Sequence, residues 1–338
     1  MNPFLQNVLK LFLTSFCFLC SPYVLMAKDS EVARSEFQKR FNVTEASRLM
    51  ADNRHGSLTV LYGKNDELIV DVVIESKAVS QTKAMQQLKE IHVNMEQQES
   101  RIQVVTSVGS KMTNRISDKI AIHLTVTMPS KMQAELIQKY GRIQMPAYNE
   151  GIYRIEVKYG KLAAGDFVQP LSVQAAYSRV ELGNATNLTL DMAYCDQASL
   201  GNLRSGRIDS KYSNTSIREV WDISIRNKYG NITINSLSDS LLVENLSYSS
   251  LKVKEIASGF RYLSVMSRYS NTDLWISQDA SYTLRARDTR YSNCTLSKSF
   301  KISHEQKKGD FYEYAVVNEG NPGEIIFSGS SYSNFTIK

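Results

Sequence analysis

The side chains able to do chemistry in this chain are carboxylates, histidines, cysteines and two recurring polar-aromatic positions. Cleavage of a polysaccharide needs two carboxylates, or a carboxylate with Arg or Lys, converging on one groove. Asp191, Asp196, Asp209, Glu219, Asp222, Asp239, Glu244, Asp273, Asp279 and Asp288 show no common offset, apart from Asp209 and Asp288, each three residues before a tyrosine and four repeats apart. They read as solvated surface charge. His55, His92, His123 and His304 lack the H-x-x-x-H spacing of metal ligands. His55 reads as a tyrosine substitute and His123 as a solvent-facing residue between Ile122 and Leu124. Neither G-x-S-x-G nor a Gly-rich phosphate loop occurs. Cys195 and Cys294 are predicted to be small buried hydrophobes, because five repeats at about 4.8 Å each separate them by about 24 Å. A disulfide allows roughly 7 Å between Cα atoms. No catalytic, cofactor-binding or metal-ligating residue is assigned, and no cofactor is expected.

Two columns remain. Tyrosine followed by a small residue recurs as Tyr140-Gly141, Tyr159-Gly160, Tyr177-Ser178, Tyr194-Cys195, Tyr212-Ser213, Tyr229-Gly230, Tyr248-Ser249, Tyr269-Ser270, Tyr291-Ser292 and Tyr332-Ser333, with gaps of 17 to 22 residues as far as Tyr291. Asparagine stands two residues later at Asn214, Asn231, Asn271, Asn293 and Asn334. Such columns stabilise stacked corners. Facing outward, they would give a long flat face of rings and amides for weak multivalent contact. Tyr212, Tyr229, Tyr248 and Tyr269 with Asn214, Asn231 and Asn271 are therefore the candidate binding residues, and a glycan or a cell-surface protein is the expected partner.

The elements that must position these columns follow from periodicity. Apolar residues stand five positions after the tyrosines (Leu182, Leu200, Ile217, Ile234, Val253, Leu274, Leu296, Ile337) and often three after (Val180, Ile232, Leu251, Cys294, Phe335). Others lie four and six before, as in Leu171/Val173, Leu188/Leu190, Ile223/Ile225 and Leu263/Val265. Period-two alternation marks short strands, and the change of parity at the tyrosine demands a bend there, which the small following residue is expected to allow. Each repeat is thus strand, corner, strand, turn, and a repeat of this length predicts an all-β, parallel β-solenoid. An outlying copy, Asn53-Arg54-His55-Gly56-Ser57-Leu58-Thr59-Val60, matches Asn227 to Ile234 position for position. Between it and Pro129 the period breaks into a β-rich excursion, with strands at 67–75, 91–95, 102–106 and 121–128 and one short helix at 81–90. Asn321-Pro322-Gly323 reads as a hairpin turn before a last repeat that ends at Lys338.

These motifs resemble a family of exported β-solenoid proteins, abundant in Bacteroidetes, that are provisionally named adhesins and whose function is uncharacterised. The resemblance rests on Asn53-Arg54-His55-Gly56, Lys139-Tyr140-Gly141, Lys158-Tyr159-Gly160-Lys161-Leu162-Ala163-Ala164-Gly165, Lys211-Tyr212-Ser213, Lys228-Tyr229-Gly230 and the Met128-Pro129 that closes the excursion. It covers roughly residues 40 to 338 and implies a surface or envelope protein with no assigned catalytic residue.

Export is also expected from residues 1–27, which carry no acid, one Lys10, an apolar run from Leu11 to Cys20 and a small Ala27 where a signal peptidase would cut. The expected organisation is a signal peptide at 1–27, a β-rich capping region at 28–140 and the repeat region at 141–338. Of 338 residues, 40 are Lys or Arg and 34 are Asp or Glu, scattered singly, so nucleic acid is not an expected partner. Membrane contact is expected at most through an envelope anchor, and the destination is the periplasm, outer membrane or cell surface. The expectation is a non-catalytic adhesive or binding module. The alternatives are a β-helix enzyme acting on polysaccharide and an envelope-associated signalling accessory protein.

Overall fold

Alternating apolar and polar residues dictate strands along nearly the whole chain. The computed structural model, which describes residues 31–109, 119–318 and 323–338, is all-β with one short helix. The expected signal peptide at 1–27 lies outside the described residues. The first elements are β1 (Glu31–Asn42), β2 (Arg48–Tyr62), β3 (Glu67–Ala78), α1 (Gln81–Leu88), β4 (Ile91–Gln98), β5 (Arg101–Val108), β6 (Lys119–Met128) and β7 (Gln133–Gln144). β1, β3 and β6 pair antiparallel in that spatial order, and β4 pairs antiparallel with β5. β2 joins this excursion to the rest: it pairs in parallel with β5 through its first residues, with β6 through Gly56–Tyr62, and with β7. α1 is capped by Ser80, whose side chain accepts from the Lys83 amide, and it packs Ala84 against Ala33 and Ala78. Strands and helix stand where the periodicity places them, although α1 ends at Leu88, two residues short of the predicted limit.

The repeats continue as β8 (Tyr148–Asn149), β9 (Tyr153–Lys158), β10 (Lys161–Ala164), β11 (Asp166–Phe167), β12 (Leu171–Ala176), β13 (Arg179–Leu182), β14 (Ala185–Ala193) and β15 (Ala198–Lys211). The parallel β-solenoid expected from the repeat length needs correcting. Hydrogen bonding runs in parallel from β7 to β10, β13, β15, β14, β12, β9 and back to β7, so the sheet closes into a seven-stranded parallel barrel with the other strands paired outside it. Two long strands cause the closure. β7 runs on through its tyrosine corner and bonds both β9 and β10, while β15 runs through the opposite bend and bonds both β13 and β14. A strand that does not break at a corner carries its ladder around it, a continuity that the spacing of tyrosines cannot reveal. The enclosed space is filled by Tyr153, Ile155, Val157, Leu162, Val173, Val180, Leu190 and Ile208, each at most 1% exposed.

Outside the ring follow β16 (Thr215–Lys228), β17 (Asn231–Ser247), β18 (Ser250–Ile256), β19 (Tyr262–Arg268), β20 (Asn271–Ile276), β21 (Tyr282–Arg287), β22 (Asn293–Leu296), β23 (Ile302–Lys308), β24 (Phe311–Val317), β25 (Gly323–Ser328) and β26 (Asn334–Ile337). The turn expected at Asn321-Pro322 lies outside the described residues, and the strands that flank it do not pair with each other as the expected hairpin requires. β24 lies antiparallel to β21 and β23, whereas β25 lies parallel to β19 and β21. β25 is thus inserted between β19 and β21, and β26 likewise between β20 and β22. The last segment of the chain is therefore not last in space, and it supplies edges of four strands, β19, β20, β21 and β22, with partners.

Candidate functional site: the tyrosine column

The corner backbone comes first. Every tyrosine of the repeat adopts a left-handed conformation, with φ between 49° and 58°, and His55 does the same at 58°. The bend is made by the tyrosine itself, not by the small residue after it. For a non-glycine residue this conformation costs on the order of 1–2 kcal/mol, so its recurrence at eleven corners needs a compensating source of stability. Part of it is hydrogen bonding. Each tyrosine amide from Tyr159 to Tyr269 donates to the carbonyl just before the next ring in the column, for example Tyr159 to the Ala176 oxygen and Tyr229 to the Ser247 oxygen, both at 3.0 Å.

The small residue has a second role that the sequence reading missed. The hydroxyl of Ser178 donates to the Ala176 carbonyl at 2.7 Å and accepts from the Gly160 amide at 3.2 Å. Ser213, Ser249 and Ser270 repeat both bonds, donating to Lys211, Ser247 and Arg268 and accepting from Cys195, Gly230 and Ser249. Serine one residue after six of the ten tyrosines was the available signal. Where glycine stands instead, the backbones approach too closely for a side chain: a Cβ on Gly160 would lie 1.8 Å from the Gly141 oxygen.

The rings themselves form one continuous column, in the order His55, Tyr140, Tyr159, Tyr177, Tyr194, Tyr212, Tyr229, Tyr248, Tyr269, Tyr332, Tyr291. Its ten steps measure 4.8–5.1 Å with interplanar angles of 3–18°, giving about 50 Å end to end. The inserted C-terminal repeat puts Tyr332 ahead of Tyr291. Nine tyrosines are 38–51% exposed, and Tyr291 at the end is 79% exposed. This corrects the expected flat face of rings. Neighbouring rings cover one another's faces, so along the column only ring edges and hydroxyl groups meet solvent.

All four candidate tyrosines, Tyr212, Tyr229, Tyr248 and Tyr269, are consecutive in this column. Asn214, Asn231 and Asn271 lie exposed beside it. The Asn231 amide donates to the Asn214 side-chain oxygen at 3.0 Å, and Asn293, Asn334 and Asn271 form a run of side-chain amide bonds at 3.2 and 3.0 Å. The residue before each ring was not singled out by sequence reasoning. It is basic at Arg54, Lys139, Lys158, Lys211, Lys228, Arg268 and Arg290, and at no ring is it acidic. The Lys228 ammonium sits 5.1 Å from the centre of the Tyr229 ring.

At the His55 end, a cleft of about 470 Å³ is lined by His55, Ser57, His123, Tyr140, Arg142 and Gln144 among others. His123 is half-buried and its Nδ1 lies 2.8 Å from the Ser57 hydroxyl, so it is more engaged than its sequence neighbours imply. Burial and the adjacent Arg54 push the His55 pKa below its ordinary value. Burial also raises the Asp52 carboxyl, against the pull of Lys139 and Arg54. Elsewhere, exposed Tyr148, Val168 and Trp221 line a cleft of about 350 Å³ with Arg204 and Glu219.

The carboxylates are less dispersed than the sequence reading held. Asp191 also stands three residues before a tyrosine and is the direct register partner of Asp209 on the next strand. The following position in that column is Arg226, ion-paired with Glu244. Cys195 and Cys294 are buried and unbridged as expected, though six ring steps apart because of the inserted repeat.

No family model and no curated protein matches the chain. Solved structures similar to it include a provisionally named adhesin from Parabacteroides merdae, at 8% identity and TM-score 0.36, covering 88% of this chain and 95% of that one. Another provisionally named adhesin, from Bacteroides fragilis, shows 9% identity, TM-score 0.32 and coverage of 90% and 97%. A protein from Parabacteroides distasonis, provisionally named as lipid binding, shows 9% identity, TM-score 0.29 and the same coverage. Two of these three carry the class name that the sequence motifs resemble. Overlap at this level transfers neither ligand nor activity.

Proposed function

We propose that the chain is an exported, non-catalytic binding module of the cell surface or envelope, and that the tyrosine column is its contact surface. The observation that carries this reading is the column: ten rings, each in a costly left-handed backbone, lined up with their edges and hydroxyl groups toward solvent. Strain retained at many equivalent positions points to a use for the geometry. A buried corner could be built from glycine or asparagine at lower cost. Tyrosine adds an apolar edge and a hydroxyl with little side-chain entropy to lose, which suits repeated weak contacts along an extended partner such as a glycan or a surface protein.

The test is the combined variant Tyr212→Asn, Tyr229→Asn, Tyr248→Asn and Tyr269→Asn, because asparagine tolerates the left-handed conformation. Binding to whole cells and to a glycan array is measured, with melting followed in parallel. A folded variant that loses at least about tenfold in binding supports the reading. A folded variant that binds as the parent does overturns it.

A further inference from the structure

The row of cations beside the column specifies the chemistry of its partner. Seven of the eleven residues that precede the rings are Lys or Arg and none is Asp or Glu, in a chain with nearly as many acids as bases overall. Parallel register sets several of them side by side: Arg54 opposite Lys139, Lys139 opposite Lys158, and Lys211 opposite Lys228. All seven are at least partly exposed. Among the described residues only Lys158 has a carboxylate within ion-pair distance, Glu156 at 2.8 Å. Two residues after the rings stand Arg142, Lys161 and Arg179, of which Lys161 and Arg179 are ion-paired with Glu181 and Asp196 at 2.7 and 3.0 Å, so the unpaired charge lies on the side that precedes the rings. Adjacent like charges oppose each other across neighbouring strands, and six of the seven cations before the rings have no ion-paired carboxylate among the described residues to offset this. Arg142 also lines the His55 cleft at the end of the column, with no carboxylate among the described lining residues.

From this charge row and the hydroxyl row beside it we infer that the column binds a linear acidic polysaccharide laid along its length. The inference rests on the column being the contact surface and adds the class of ligand. Spacing selects among polyanions. Rings recur every 4.8–5.1 Å, with a basic neighbour at seven of the eleven, and this step is close to the advance per pyranose unit in an extended sugar chain. An acidic peptide strand presents same-side residues every ~6.6 Å, twice the rise per residue, and the phosphates of one strand of a DNA duplex advance about 3.4 Å along the axis. Both fall out of step within a few repeats. A bilayer would need a broad basic face, whereas the cations here follow a line.

The experiment titrates the purified chain with polygalacturonate, a linear polyuronate, at low salt and at roughly 0.3 M salt. The column variant is Lys139→Gln, Lys158→Gln, Lys211→Gln and Lys228→Gln together. A control of equal charge loss carries Lys64→Gln, Lys131→Gln, Lys301→Gln and Lys308→Gln, all exposed and away from the rings. Expected is salt-sensitive binding that falls at least about tenfold in the column variant and less than about twofold in the control. Equal loss in both variants would make the attraction general and overturn the inference. Single-stranded DNA or anionic vesicles binding as tightly as the polyuronate would do the same. Binding of neutral glycans alone, lost on Trp221→Ala and kept in the column variant, would move the site to the other cleft and also overturn the column reading. Binding of neutral glycans that depends on the tyrosines overturns only the acidic assignment. No binding to any glycan or cell would remove both readings.

Discussion

Each corner tyrosine serves two ends, a backbone turn and a ring in the stack, and substitutions can separate them. Tyr229→Gly keeps the turn and loses the stacking, whereas Tyr229→Val loses the stacking and places a β-branched residue at φ 58°. We expect Val to be the more destabilising by about 1–3 kcal/mol, read from melting curves; equal melting of the two would show that the turn is not strained. His55 supplies a pH test. Its pKa is lowered in the fold, so the stabilising neutral form is present above the ordinary histidine range and the contribution is lost as pH falls through the folded value. His55→Tyr should therefore lose less melting temperature than the parent between pH ~7.5 and ~5. An identical fall in both proteins would remove His55 as the source. The raised Asp52 pKa acts in the opposite direction, so the difference between the two proteins, not either profile alone, carries the result.

Among the elements, the inward positions were legible from period-two alternation. Ile234 and Val253, placed inward from their offset alone, are both fully buried. Replacing either with Asp should cost several kcal/mol by burying an unpaired charge, and melting within about a degree of the parent would show the inward assignment to be wrong. The excursion was legible too, because each of its strands and α1 carries its own local period. Pairing order was not. Nothing in the local pattern of residues 323–338 says that β25 and β26 slot between earlier strands, since parallel partners are chosen by long-range edge satisfaction. Deleting residues 323–338 should leave β19 to β22 with open edges and yield rapid proteolysis and self-association. A monomeric, protease-resistant truncation would mean that the inserted strands are dispensable. The barrel closure escaped prediction for a similar reason: it depends on β7 and β15 running unbroken through bends, and the residues at those bends do not differ in kind from those where strands break.

For the whole molecule, the tyrosine and asparagine columns were visible in the sequence as columns, but not their exposure. The stacking that hides the ring faces and leaves the edges in water is a property of the assembled corner. The basic row was equally present in the sequence and was obscured because its members are single residues 17 to 85 positions apart; those on adjacent strands become neighbours only once the strands pair in register. Assembly thus converts scattered charge into a line of cations beside a line of hydroxyl groups, about 50 Å long over ten steps. The measurement that tests this most directly is the affinity of size-graded oligogalacturonides for the purified chain. If the column is the contact surface, affinity rises with each added unit and levels off near the number of steps in the column, because further units find no ring or cation to meet. An affinity that is already constant from the shortest oligomers upward would place binding in a small pocket and contradict the account.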